Sequence, residues 1–188
     1  MKRIAIFASG SGTNAENIAH HFENHKDIRV EMILSNRSDA YVLKRAKQLG
    51  IESAVFSRDD MKSPDKLAKL LAARNIDLIV LAGFLWLIPK SLLSAFPKKI
   101  INIHPALLPK YGGKKMYGMR VHEAVISEGE RESGITIHFV DEIYDHGKVI
   151  FQAKCPVESG DTPETLAGKI HELEYKHYPV VLEKLLTE

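Results

Sequence analysis

The 188-residue sequence predicts a single α/β domain over 1–188, a mostly parallel twisted sheet with helices on both faces. Three observations predict it. Short apolar runs alternate with stretches of helical spacing through the first hundred residues, the order that right-handed strand–helix–strand crossovers produce. The run "DLIVLAGF" (77–84) is continuously apolar, as a parallel strand covered on both faces is. Toward the C-terminal part, "ESGITIHFV" (132–140) and "KVIFQAKCPV" (148–157) follow each other with no helix between, which predicts an antiparallel addition at one edge.

The elements are predicted as follows. "KRIAIFAS" (2–9) is a buried strand ending in the turn "GSGTN". "AENIAHHFENH" (15–25) has helical spacing at Ile18 and Phe22, with Asn14 as its N-cap. "VEMILSN" (30–36) is a strand, "AYVLKRAKQLGI" (40–51) a helix stopping at Gly50, and "SAVF" (53–56) a short strand. "SPDKLAKLLAARNI" (63–76) is a helix with Ser63 as cap, Pro64 at its first position and Asp65 in its first turn. After the strand at 77–84 come a short helix (89–96), the strand "KIINIHPA" (99–106) and the helix "VHEAVISEGE" (121–130). A long final helix fills 161–186. Asp161 and Glu164 form its capping box, Pro163 suits its first turn, and Pro179 is expected to kink or split it.

Composition narrows the function class. A net charge of +2 does not call for nucleic acid or a membrane surface. The single cysteine, Cys155, excludes an internal disulfide and a cysteine-based zinc cluster. The apolar run after "MKR" is shorter than a secretory segment, and no stretch approaches the roughly 18 apolar residues of a membrane span. A cytoplasmic protein is expected, and composition does not choose between a monomer and a homodimer.

Three stretches carry chemistry. Glycines in "FASGSGTNA" let a strand-to-helix turn aim backbone N–H groups at an anion, with the helix dipole in support. Gly10, Gly12 and Ala15 also satisfy a dinucleotide fingerprint, but the acidic residue required after the second strand is missing from "LSNRSDA". A substrate phosphate is the foremost reading of the turn, with a purely structural turn and a nicotinamide cofactor as the alternatives. In "KIINIHPALLPKYGG", Asn102 and His104 lie two apart at the carboxyl end of a strand and so face one way. An amide donor beside an imidazole suits a reaction that builds charge on oxygen, against the alternative of a structural histidine. "HFVDEIYDHGKVI" holds Asp141, Glu142 and Asp145, any of which could orient an imidazole, against the alternative of a solvated turn. No spacing typical of a zinc site accompanies His138 and His146, so no metal is expected.

The motifs "SGSGTN", "SNR", "VLAGF", "NIHPALLPKY", "GITIHFVDE" with a following Asp and Gly, and "E…YP" occur in the order of one family. Over nearly its whole length the sequence resembles the folate-dependent glycinamide ribonucleotide transformylases of the formyltransferase superfamily. That resemblance implies a Rossmann-like fold and transfer of formyl from 10-formyltetrahydrofolate to the amino group of glycinamide ribonucleotide, without metal. It implies catalytic roles for Asn102, His104 and Asp145, the last raising the pKa of His104. It implies a ribotide site at Gly12, Thr13, Asn14 and Glu174. It implies a folate site at Leu85, Trp86, Leu87 and Ile88, at Asn102, and at Asp141, Glu142, Ile143, Tyr144 and Asp145, with Arg58 or Lys62 available to the folate tail. Trp86 stands where the family has a basic residue, Lys148 where it commonly has Pro, and "YGGKKMYGMRVHEAV" departs from its usual continuation. A formyltetrahydrofolate deformylase or another formyltransferase of the superfamily is the alternative. The N-terminal regulatory domain of the first, and the tRNA-binding domain of the methionyl-tRNA enzyme, are not expected here.

The implied chemistry is attack of the amine on the formyl carbon. Asn102 and a His104 held protonated by Asp145 then donate to the oxyanion. The proton passes to the leaving folate nitrogen.

Overall fold

The computed structural model describes residues 1–62 and 66–188. The cap expected at Ser63, Pro64 and Asp65 lies outside the described residues, as does the Lys62 side chain. Seven strands form one sheet in the order β3-β2-β1-β4-β5-β6-β7. They are β1 (Lys2–Phe7), β2 (Ile28–Ser35), β3 (Glu52–Val55), β4 (Leu78–Leu81), β5 (Ile100–His104), β6 (Glu132–Phe139) and β7 (Val149–Pro156). The first five pair in parallel, and β6 runs antiparallel to both β5 and β7. The helices are α1 (Thr13–Phe22), α2 (Val42–Gln48), α3 (Arg58–Lys62), α4 (Lys66–Ala73), α5 (Lys90–Ala95), α6 (Met119–Ser127) and α7 (Pro163–Thr187). The α3 turn was not expected from the sequence.

Strand alternation splits the interior into two cores. Ile4, Ile6 and Ala8 of the first strand segment meet α1, α2, α6 and α7 on one face. Ala5 and Phe7 point the other way, toward α4, α5 and the aromatic pair Phe56 and Phe84. Each large apolar side chain fully buried in this way contributes roughly 1.5–3 kcal/mol. With both faces covered, the uninterrupted apolar character of β4 follows.

Three expected helix details change. Gly12, not Asn14, caps α1, in the left-handed conformation. Asn14 lies inside the helix because its side-chain amide donates to Glu174 at 2.8 Å. At α7 the box is formed by Thr162 and Thr165, with Pro163 at the start, and Asp161 instead accepts from the Thr165 hydroxyl at 2.9 Å. Pro179 does not split α7, which runs unbroken over 25 residues. A proline there cannot bond the carbonyl four residues back. That carbonyl, of Tyr175, accepts from the Asn17 side chain at 2.9 Å instead.

Candidate active site

The strand order reverses at β1, whose neighbours are β2 and β4. Loops leaving the carboxyl ends of β1 and β4 diverge at such a point and leave a crevice. Ser9 ties its rim together. Its hydroxyl donates to Asn36 at 2.7 Å and accepts from the Leu85 N–H at 3.1 Å, while its own N–H donates to the Gly83 carbonyl. A cavity of ≈550 Å³ opens there and takes in the end of β5 as well.

One wall is the glycine turn. Gly12 has φ 75°, and a Cβ on it would collide with Val42 of α2. The Val42 N–H bonds the Gly10 carbonyl at 3.1 Å, and Arg45 braces the turn through the Ser11 carbonyl at 2.9 Å while pairing with Glu16. The first intrahelical bond runs from the Glu16 N–H to the Gly12 carbonyl. The N–H groups of Thr13, Asn14 and Ala15 therefore precede any helical acceptor, at the positive end of the helix dipole. Behind them Glu174 is buried, with 6% of its surface exposed. Burial raises its carboxyl pKa against the opposing Asn14 hydrogen bond. Among the described residues the buried Oδ1 of Asn14 has no hydrogen-bond partner.

The other wall holds the polar strand end. His104 is 3% exposed and sits between two acceptors. Its Nε2 is 2.7 Å from the Tyr111 carbonyl, and its Nδ1 is 3.5 Å from Asp145 Oδ2. A carbonyl only accepts, so Nε2 carries the proton. Asp145 also accepts from the Gly113 N–H at 2.9 Å and from Asn102 Nδ2 at 3.4 Å. Asn102 Nδ2 lies 3.1 Å from His138 Nε2, whose other nitrogen faces the Phe139 carbonyl at 2.8 Å. Where Asn102 donates to Nε2, the ring proton lies on Nδ1, toward the Phe139 carbonyl. Two histidines and an amide thus surround one carboxylate.

The electrostatics correct one expectation. Asp145 does act to raise the His104 pKa, as does the Tyr111 carbonyl, but burial acts more strongly and the net shift is downward. Burial also works to raise the Asp145 carboxyl. The His138 ring, the His104 charge and the Gly113 N–H together hold it below its ordinary value. The cavity therefore opens on a neutral imidazole beside an ionised carboxylate.

The loop after His104 is fixed from beneath. Thr136 donates to the Ala106 carbonyl at 2.7 Å and accepts from the Leu108 N–H at 3.0 Å, and Gln152 bonds both Thr136 and the Leu108 carbonyl. Farther on, a Cβ on Gly147 would drive into the Phe139 carbonyl, so only glycine lets the 141–147 loop fold back against β6. Asp145 itself takes a left-handed φ of 55°.

Of the residues to which the resemblance gives a role, Gly12, Thr13, Asn14, Leu85, Asn102, His104, Tyr144, Asp145 and Glu174 line this cavity. Other expected residues do not reach it by side chain. Ile88 is buried in the core beneath α5, which leaves only its backbone for a ligand. Trp86 packs edge-on to Phe56 and Phe84 with the Arg58 guanidinium 4.8 Å over its ring. Leu87 is exposed outside the lining. Asp141 accepts from the Ile143 N–H and from His146, Glu142 pairs with Lys90 at 2.6 Å, and Ile143 is exposed.

Sequence reasoning missed His138, Tyr111 and Gly113 as partners of the catalytic candidates, and His122 and His171 as cavity lining. A signal for the first existed. In the β5–β6 register Asn102 faces His138 and His104 faces Thr136, so two alternating polar pairs mark the same end of two strands. Among the described residues no group of His, Cys, Asp and Glu has metal-holding geometry, and no helix is long and apolar enough to cross a membrane.

Residues 2–182 match the pattern of the formyl transferase family. The chain is 41% identical, over 194 aligned positions, to the chloroplastic phosphoribosylglycinamide formyltransferase of Arabidopsis thaliana, covering 100% of this chain and 66% of that protein. The match to the phosphoribosylglycinamide formyltransferase of Haemophilus influenzae is 39%, covering 88% of that protein. The chain thus spans slightly under two thirds of the plant relatives, 66% and 62% of their lengths. The solved phosphoribosylglycinamide formyltransferase of Streptococcus pneumoniae superimposes with a TM-score of 0.86 at 41% identity, over 98% of this chain and 99% of that one. The glycinamide ribonucleotide transformylase 1 of Symbiobacterium toebii gives 0.90 at 35% identity, over 100% of this chain and 88% of that one.

Proposed function

Because the chain belongs to the formyl transferase family, we propose that it transfers formyl from 10-formyltetrahydrofolate to the amino group of glycinamide ribonucleotide, yielding formylglycinamide ribonucleotide and tetrahydrofolate in purine biosynthesis. The observation that carries this reading is one cavity that joins an anion-binding glycine turn to the Asn102–His104–Asp145 cluster. A phosphorylated amine suits both ends at once: its phosphate at the N–H groups of Thr13 to Ala15, and its nucleophile at the end of β5. Glu174 lines the same cavity and accepts from Asn14 in the turn, a place suited to sugar hydroxyls. The folate lies toward Leu85 and Tyr144.

The acceptor nitrogen attacks the formyl carbon, and the carbonyl oxygen becomes an oxyanion. Asn102 Nδ2 donates to that oxygen, the kind of contact worth roughly 3–4 kcal/mol in acyl transfer. His104 starts neutral, so it takes the proton the amine gives up at Nδ1, its loosely held nitrogen. The resulting imidazolium lies between two acceptors, Asp145 and the Tyr111 carbonyl, which stabilise it. It returns the proton to the folate nitrogen as the C–N bond breaks. No covalent enzyme intermediate forms, since the amine is itself the nucleophile.

The test follows tetrahydrofolate release by absorbance from 10-formyltetrahydrofolate, with and without the ribotide. Release that depends on the ribotide is the expected result. Release to water alone would make the protein a deformylase and overturn the reading.

A further inference from the structure

Several lysines elsewhere on this surface are matched with carboxylates. Lys110 pairs with Glu130, Lys154 with Glu132, Lys169 with Asp161 and Lys90 with Glu142. Lys114 and Lys115 are different. Both line the cavity, and among the described residues neither has a hydrogen-bond or ion-pair partner. The two cavity acids are already engaged, Glu174 by Asn14 and Asp145 by Gly113 and Asn102. Two adjacent cations thus face a cavity with no free protein anion to answer them.

Their place in the chain adds a second consequence. The segment just before them holds the catalytic pair by its backbone: the Tyr111 carbonyl accepts from His104, and the Gly113 N–H donates to Asp145. The Tyr111 hydroxyl anchors the start of that segment to Glu128 and Glu130. A force on Lys114 and Lys115 therefore acts one residue away from the hydrogen bond that holds Asp145.

We propose that Lys114 and Lys115 clamp the phosphate of the acceptor substrate from across the glycine turn, and that occupation of this clamp sets the geometry of the His104–Asp145 pair. The proposal rests on the ribotide reading above and adds to it the residues that discriminate a phosphorylated acceptor. A dianionic phosphate answers two lysines as no neutral acceptor does, and each charge-assisted contact strengthens binding by about tenfold or more. The clamp also explains how one site favours a phosphorylated amine over the amines of free amino acids.

The test compares Lys114→Ala, Lys115→Ala and the double variant with the unmodified protein. Both side chains are exposed, so folding is expected to persist and is checked by circular dichroism. Calorimetry measures binding of glycinamide ribonucleotide without folate. Turnover is measured with the ribotide and with its 5′-hydroxyl riboside. In the double variant, ribotide affinity and the preference for ribotide over riboside should fall together by about tenfold to a hundredfold. The KM for folate should not move, and the pH profile of kcat should shift because His104 and Asp145 are released. Lys→Arg at both positions should restore the preference.

Unchanged ribotide affinity, an equal loss for ribotide and riboside, or a rise in folate KM instead would each overturn the clamp; the last would assign the lysines to the folate carboxylates. If the unmodified protein binds the ribotide through these lysines yet does not formylate it, the proposed reaction fails and the clamp stands. If formylation proceeds and the variants bind normally, the reaction stands and the clamp fails.

Discussion

His122 should make folding stability fall on mild acidification, and a single substitution should remove that dependence. The ring lies on α6, 3% exposed, and its buried Nδ1 has no hydrogen-bond partner among the described residues. Burial pushes its pKa down to about 4, with the charges of His171 and His104 adding to the effect. Below the ordinary value of 6.5 the unfolded chain takes up a proton that the folded chain refuses, so stability declines as pH falls from 6.5 and the decline ends near pH 4. From the two pKa values the loss relative to pH 8 is about 2 kcal/mol at pH 5 and about 3 kcal/mol at pH 4. His122→Gln keeps a polar side chain but does not titrate. Urea unfolding of both proteins at pH 8 and pH 5 isolates the term, because every other titrating group is common to the pair. The unmodified protein should lose about 2 kcal/mol more than the variant, a midpoint difference on the order of 1 M urea. Identical pH dependence in the two proteins would refute the burial argument for this ring.

Three further outcomes follow from the same geometry. His104→Ala or Asp145→Asn should lower turnover by about a hundredfold or more with a native circular dichroism spectrum; near-normal turnover would remove these residues from the proton path. Tyr178→Phe withdraws the hydroxyl that donates to the Leu81 and Ile101 carbonyls at 3.0 and 3.3 Å, and should cost about 1–3 kcal/mol in urea unfolding. Gly12→Ala places a methyl against Val42 at a left-handed φ and should raise the KM for the ribotide by about tenfold through the displaced turn; an unchanged KM would show that the turn does not contact that substrate.

What was legible in the sequence and what was not divides by the range of the interaction. Periodicity and turn chemistry are local, so the strands, their parallel order and the carboxyl-edge position of Asn102 and His104 could be read directly. The misreadings arise where a distant group takes over a local role. Asn14 has the composition of an N-cap, but Glu174, 160 residues away, claims its amide. Pro179 should have interrupted α7, but Asn17, 158 positions from the carbonyl at issue, satisfies it. The polar cluster at the end of β5 behaves the same way. A carboxylate beside an imidazole argues for a raised histidine pKa, and Asp145 does push in that direction. The burial that outweighs it comes from a cavity wall assembled from several separate segments of chain, which no spacing rule reveals. His138 is the instructive intermediate case. Its role depends on the antiparallel register of β5 and β6, yet the pairs Asn102–His138 and His104–Thr136 leave a trace in the alternation of "NIH" against "TIH". Reading polar alternation across two neighbouring strands, rather than along one, would have found it. For a site built at strand ends, the pairing partner of a catalytic residue is the first place to look for the group that orients it.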